Sequence, residues 1–285
     1  MREASAECEA SGKREAGGAS PEQSGPLLAF PAGCRIVRLE RREKRFTAIT
    51  TELETGAELR AHTNNTGSML GLLRPGTLAL LSPAPLREKG PERVLKWTLE
   101  ALALPGGHRG PQGLVDPAWV GVNTLTPNRL LAAAWRARLL PEARPYPRLT
   151  PEAKTGDSRL DALLEGDALP KLYVECKNVT LVEDGQAQFP DAASERGRKH
   201  LVELARLMRE GCRAALFFLV QRPDGDCFAP AEAIDPAYAE ELALALRAGV
   251  EVWAWRARIT LGGIHLAERL NLAPAWAALQ TPRRT

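Results

Sequence analysis

The chain has 285 residues, of which 26% are charged and 44% hydrophobic, and a formal net charge of +3. This is room for one or two cored domains, and the slight basic excess is only a weak pointer to an anionic partner. Five widely spaced cysteines (Cys8, Cys34, Cys176, Cys212, Cys227) with no Cys-x-x-Cys pair argue against a disulfide framework or zinc knuckle and for a reducing compartment.

No apolar run approaches the ~20 residues of a membrane span. The opening MREASAECEASGKREAGGASPEQSG carries charges where a signal peptide needs an apolar stretch. The expectation is a cytoplasmic protein with no membrane partner, and residues 1–26, rich in Gly, Ser, Ala and Glu, read as a disordered extension.

Residues 27–112 carry short strands and turns. CRIVRLERREKRFTAIT alternates in part, GAELRAH and TLALLSP follow, and NNTG and RPG supply turn chemistry, so a small β-barrel domain is expected. Arg35, Arg38, Arg41, Arg42, Lys44 and Arg45 crowd its first strand against only Glu40 and Glu43. They read equally as a charged edge strand and as a phosphate-facing surface. Asn65 and Thr66 are turn residues first and a substrate-contacting loop second. Aromatics are scarce in this region, so base stacking is expected to add little.

After LPGGHRGPQG (104–113), helices and strands alternate. Thr126 as cap with Pro127 in the first turn predicts a helix running to Pro141. SRLDALL and KLYVECKNVTLV predict two strands around the turn EGDALP. Asp191 or Ser194 can cap a helix whose Leu201, Leu204, Ala205 and Met208 recur at helical spacing, and AALFFLV reads as a strand covered on both faces. Strand 171–182, this helix and strand 213–221 form a βαβ unit. Asp235, Pro236 and Gly249 bracket a further helix, and VEVWAWRARI is read as the last strand. The second domain, 113–270, is therefore α/β, with a tail at 271–285.

Within KLYVECKN, Glu175 and Lys177 share one strand face, Val174 and Cys176 the other. In the hairpin, placing Asp161 opposite Glu175 separates Leu160, Ala162, Leu164, Leu172, Val174 and Cys176 from Arg159, Asp161, Leu163, Tyr173, Glu175 and Lys177; a one-residue slip mixes the sets. Two carboxylates within ~5 Å repel unless neutralised. A divalent cation does this with hard oxygen ligands, here Asp161, Glu175 and the backbone carbonyl of Cys176. Lys177 on the same face would meet water or a scissile phosphate. Glu152 is a candidate third acid, while a solvated pair with Lys154 explains it as simply. Arg196, Lys199 and His200 on the following helix, and Arg159, are candidate phosphate contacts, or a solvated helix face.

An aspartate separated by thirteen residues from Glu-x-Lys across a hairpin resembles the PD-(D/E)XK nuclease superfamily. The stretch 30–265 resembles the sugar fermentation stimulation protein A family, through AHTNNTGSMLGLLRPG, NTLTPNRLL, SRLDALL, YVECKNVTL, FPDAASERGRKHL, LFFLVQR, IDPAYAEEL and GVEVWAWRA. The resemblance implies a mixed α/β chain: an OB-type barrel followed by a PD-(D/E)XK nuclease-like αβββαβ domain. It also implies DNA as partner and a regulatory link to sugar utilisation; Mg²⁺ or Mn²⁺ is the cofactor the acid pair calls for, and a homodimer is left open. Position by position it assigns Asp161 and Glu175 to the metal, Lys177 to catalysis, and Gln221 to the polar residue that closes the last core strand. The chain departs from the pattern at Leu160, where proline is expected, at Cys176, and at Asn123, where the family suggests aspartate.

Overall fold

The computed structural model describes residues 25–84, 93–104, 108–109, 115–116, 118–156 and 158–280. The extension read as disordered lies outside the described residues up to position 24. Strand β1 (Leu28–Ala29) is followed by β2 (Arg35–Glu43), β3 (Thr47–Glu52), β4 (Glu58–His62), β5 (Leu78–Pro83) and β6 (Trp97–Ala103). Strands β2 to β6 run in the order β4-β3-β2-β5-β6, and a parallel contact of β4 with β6, Ala61 beside Trp97, closes them into the OB-type barrel. Inward-facing Val37, Leu39, Ala48, Ala61, Ala79, Leu81 and Leu99 fill it, with Met69 and Leu72 plugging it from a loop. The basic stretch is a hairpin rather than one strand, because Lys44 and Arg45 take left-handed backbone with φ of 49° and 63°.

A ribbon of β7 (His108–Arg109) and β8 (Val115–Asp116) precedes β9 (Trp119–Gly121), which pairs with β6. The barrel sheet thus extends past the boundary expected at 112, while β1 leaves it altogether. Helix α1 (Thr126–Arg136) begins after Leu125, so Thr126 is inside the helix and is not its cap. The reason is local: the Asn123 side chain accepts from Leu125 N–H at 3.0 Å and the Asn123 carbonyl from Thr126 N–H. The helix stops short of Pro141, where Arg138 turns left-handed at φ 58°.

Next come β10 (Arg148–Thr155), β11 (Ser158–Glu165), β12 (Leu172–Val179), β13 (Leu181–Glu183), β14 (Gln186–Phe189), α2 (Glu195–Arg209), β15 (Arg213–Val220), β16 (Cys227–Pro230), α3 (Pro236–Arg247), β17 (Glu251–Thr260), β18 (Gly263–Leu272) and α4 (Pro274–Ala277). The sheet order is β10-β11-β12-β15-β17-β18-β16-β14-β13, with β1 on β18. Parallel pairing of β12 with β15 and of β15 with β17 confirms the βαβ unit, and α1, β10, β11, β12, α2 and β15 supply the αβββαβ order. Helix α1 covers one face of the sheet and α2 with α3 the other. β15, buried from Ala214 to Val220, lies between them.

VEVWAWRARI is not the last strand. After it β18 folds back on β17, and α4 follows, so residues 271–280 are ordered structure rather than tail. β18 is mostly half-buried or exposed, which leaves its apolar signal weak. Ser194, not Asp191, caps α2 by accepting from Gly197 N–H, and Asp235 caps α3 by accepting from Tyr238 N–H. Among the described residues no helix is long and apolar enough to cross a membrane.

Candidate metal and nucleic-acid site

β11 and β12 pair antiparallel with Ala162 opposite Val174, Leu163 opposite Tyr173 and Leu164 opposite Leu172. That register, the one expected, brings Asp161 level with Glu175 just beyond the end of the ladder. Asp161 Oδ2 accepts from Cys176 N–H at 2.7 Å, so the carboxylate stands where the next strand-to-strand bond would form. Its Oδ1 accepts from Asn128 Nδ2 at 2.6 Å, a residue of α1 that sequence reasoning missed. The two strands part here, and the expected single apolar face is broken: Ala162 and Leu164 pack beneath α1, whereas Leu160 packs beneath α2 and α3. On the neighbouring β10 the backbone is left-handed at Glu152, φ 53°.

Glu175 is almost fully buried. Its Oε1 accepts from Lys177 Nζ at 2.6 Å and meets His200 Nδ1, while Lys177 Nζ lies 3.3 Å from that same imidazole nitrogen. His200 is therefore not on a solvated helix face. It is buried, one turn from Gly197, on the side of α2 that packs against the sheet. A histidine at a position that helical periodicity assigns inward was the available signal. Arg196 and Lys199 are exposed, and Lys199 pairs with Glu195 at 2.9 Å.

Burial pushes the Asp161 carboxyl above its ordinary value, and the neighbouring Glu175 charge adds to this. Burial also opposes the charged form of Glu175, but Lys177 and His200 outweigh it and hold that carboxyl below its ordinary value. The Cys176 thiol is pushed well up by burial and then by both acids, so it is a neutral core group.

Does this donor set suit a divalent cation? Glu175 Oε2 is buried and has no hydrogen-bond partner, which leaves a carboxylate oxygen open beside Asp161. In an extended strand a residue's N–H and C=O point to the same edge, so the Cys176 carbonyl lies on the Asp161 side. Two carboxylates and a carbonyl are the hard oxygen set that Mg²⁺, Mn²⁺ or Ca²⁺ takes. The residues fit. Among the described residues no group of three or more His, Cys, Asp and Glu side chains gathers at a metal-binding position. Accordingly Glu152 is not a third acid here: its side chain is about 70% exposed and accepts from Arg159 at 2.9 Å.

Lys177 opens onto a cleft of about 300 Å³ between the sheet and the barrel. The barrel wall is the loop Asn64–Gly67; the sheet side includes Thr124, Asn178 and Asp191. Asn64 donates to Asn123 Oδ1 at 2.7 Å and accepts from Thr124 N–H at 3.0 Å. Asn123 in turn donates to buried Glu100 at 2.8 Å. An aspartate at 123 would set a second carboxylate against Glu100, so asparagine is the residue this junction fits. Asp191 accepts from Met69 N–H at 3.0 Å and from Ser68, holding the barrel loop in place of the helix cap expected of it. Gln221, fully buried, contacts Asn178 and Asn123, and its carbonyl accepts from Gly121 N–H at 2.9 Å. It lies at the barrel junction, and no contact joins it to the acids.

The basic stretch divides. Arg35 pairs with Glu52 and lies over Trp97, Arg41 pairs with Glu43 at 2.7 Å, and Arg38 donates to the Gly76 carbonyl. Arg42 donates to the carbonyls of Gly67, at 2.8 Å, and Asn65, bracing the cleft loop. Lys44 and Arg45 stand exposed in the hairpin turn. In the loop Asn65 is buried and closes a turn onto Gly67 N–H, while Thr66 is exposed.

A family model described as the sugar fermentation stimulation protein RE domain matches residues 125–263, and one described as the SfsA N-terminal OB domain matches 41–108. The sugar fermentation stimulation protein homolog of Maridesulfovibrio salexigens is 52% identical over 252 residues, covering 88% of this chain and 98% of the relative. That of Syntrophobacter fumaroxidans is 50% identical over 247 residues, covering 86% and 87%. The solved structure of Pyrococcus furiosus SfsA in complex with Ca²⁺ superposes with a TM-score of 0.74 at 28% identity, covering 86% of this chain and 98% of that one.

Proposed function

The chain belongs to the sugar fermentation stimulation protein family, and from that premise we propose that it binds DNA and cleaves phosphodiesters with a divalent cation, Mg²⁺ or Mn²⁺. The observation that carries this is half-buried Asp161 level with buried Glu175, one Glu175 oxygen unpartnered and Lys177 on the same side. An acid pair costs several kcal/mol in burial and repulsion unless something compensates it. That a relative was solved with Ca²⁺ supports a cation as the compensating group.

The chemistry supplied by a bound cation is polarisation of phosphoryl oxygens and activation of a water. Asp161 and Glu175 hold it, and Asn128 and His200 orient those carboxylates. Lys177 offers a positive N–H to charge developing on the phosphate.

One observation favours a catalytically silent DNA-binding regulator instead. Lys177 is bonded to Glu175 and close to His200, so it already has a partner without substrate. Incubation of supercoiled, duplex, single-stranded, nicked and branched DNA with Mg²⁺, Mn²⁺ or EDTA separates the two. Metal-dependent products that disappear in Asp161→Asn are expected; DNA binding with no products under either metal establishes the silent regulator.

A further inference from the structure

Phe46 is 51% exposed at the end of the basic hairpin, and its ring lies parallel to the His62 imidazole, 8° between planes and 6.4 Å between centroids. A single exposed apolar residue is ordinary. This one is different in its setting. Lys44 and Arg45, both exposed, immediately precede it, and its carbonyl accepts from Thr63 N–H at 2.9 Å. The chain then runs directly from His62 and Thr63 into Asn64–Gly67, the wall of the cleft that Lys177 lines. Arg42, three residues before the hairpin's Arg45, braces that same loop.

Cationic turn and aromatic ring are therefore joined, through His62 and Thr63, to the polar loop that walls the cleft Lys177 lines. Cations attract phosphates, and an exposed ring offers a π-face to a base of any identity. Within a continuous duplex each base is already stacked on both faces, so only an unpaired base can use the ring.

We propose that Phe46, backed by His62, is a stacking platform for an unpaired base, and that the strand passes from the Lys44–Arg45 turn through the cleft, past Asn65 and Thr66, to Lys177. The substrate class is single-stranded or locally unpaired nucleic acid. The strand's course to Lys177 and its standing as substrate rest on reading the Asp161–Glu175 site as phosphodiester-cleaving; the platform itself reverses the expectation that stacking adds little.

Fluorescence polarisation with EDTA present, on a labelled single strand, the same strand carrying abasic positions, and a blunt duplex, tests it. Phe46→Ala and Phe46→Leu should weaken single-strand binding about tenfold while leaving abasic and duplex binding within about twofold, and Phe46→Trp should bind at least as tightly as the parent. Equal losses on intact and abasic strands, no loss at all, or wild-type binding to duplex alone would overturn the platform and leave the proposed function standing. No binding to any DNA overturns both. Phe46-dependent binding without any metal-dependent cleavage removes the nuclease and keeps the platform.

Discussion

Asp161 Oδ2 accepts its 2.7 Å hydrogen bond from the backbone N–H of Cys176, a residue of the strand that also carries Glu175 and Lys177. A side chain thereby replaces a rung of the sheet, and the carboxylate is fixed by main chain instead of by a mobile partner. Such a group is half-buried and held by two hydrogen bonds before any ligand arrives, which is the preorganisation that metal and transition-state binding both need.

The acid pair makes metal-free stability depend on pH. With Asp161 raised by burial and by Glu175, its stabilising contribution is present below the unfolded value of ~3.9 and is lost as pH rises through the raised folded value. Glu175, held low by Lys177 and His200, runs the other way and loses its contribution only as pH falls through its depressed value. Millimolar Mg²⁺ or Mn²⁺ should therefore raise the melting temperature more at neutral pH than near pH 5. Asp161→Asn should abolish the increment and flatten the rise in pH sensitivity; calorimetry that shows the same metal shift in the mutant removes the site.

Lys177→Ala should eliminate cleavage while changing the affinity for DNA and for Mn²⁺ by less than about threefold, since one charge is a small part of a DNA footprint. Single-turnover cleavage and polarisation binding on the same preparation check both halves. A large binding loss would make the lysine a phosphate anchor.

His200 contacts Glu175, the acid proposed to hold the cation. His200→Ala should lower Mn²⁺ affinity by about 10- to 100-fold, the usual range for a residue that orients a ligand. His200→Gln, which keeps a donor within reach, should recover part of it. Titration calorimetry gives both constants; unchanged affinity in His200→Ala would reduce the contact to packing.

Asp235 ties two helices together. Only 3% exposed, it accepts from Ser194 and Tyr238 N–H and pairs with Arg198. Burial opposes its charge, but the two N–H groups and Arg198 hold its carboxyl below the ordinary value. Asp235→Ala should cost about 2–3 kcal/mol at pH 7, and the difference from wild type should shrink as pH falls through that depressed value. Urea unfolding at pH 7 and pH 3 measures it.

The exposed cations of the hairpin should carry the salt dependence. Lys44→Ala with Arg45→Ala should reduce the slope of log affinity against log salt by about 0.7 per charge on single-stranded DNA, whereas Arg42→Ala should disturb the cleft loop it braces. An unchanged slope in the double mutant places the phosphate contacts elsewhere.

Much of this was legible in the sequence because local rules and tertiary demands agreed. The period-2 separation of polar from apolar residues set the Asp161–Glu175 register, the unbroken AALFFLV announced a doubly covered strand, and Asp235 with Pro236 marked its helix. The misses share a cause: a long-range partner outbid a local preference. Asp191 has cap chemistry but serves a barrel loop more than a hundred residues away in sequence. Leu160 alternates correctly on paper, yet the strand turns over where Asp161 interrupts the ladder. His200 was read as polar surface because nothing near it in sequence supplies the acid that makes its burial tolerable.

The seam between barrel and sheet is stitched at Asn64–Thr124, Ser68–Asp191, Asn123–Glu100 and Gly121–Gln221, and a methyl group on Gly121 would fall 2.1 Å from the Gln221 side-chain oxygen. Each half contributes one member of every stitch. A barrel transplanted from a distant relative would arrive without its complements, so substitutions on the two sides of the seam should be coupled in their effect on stability.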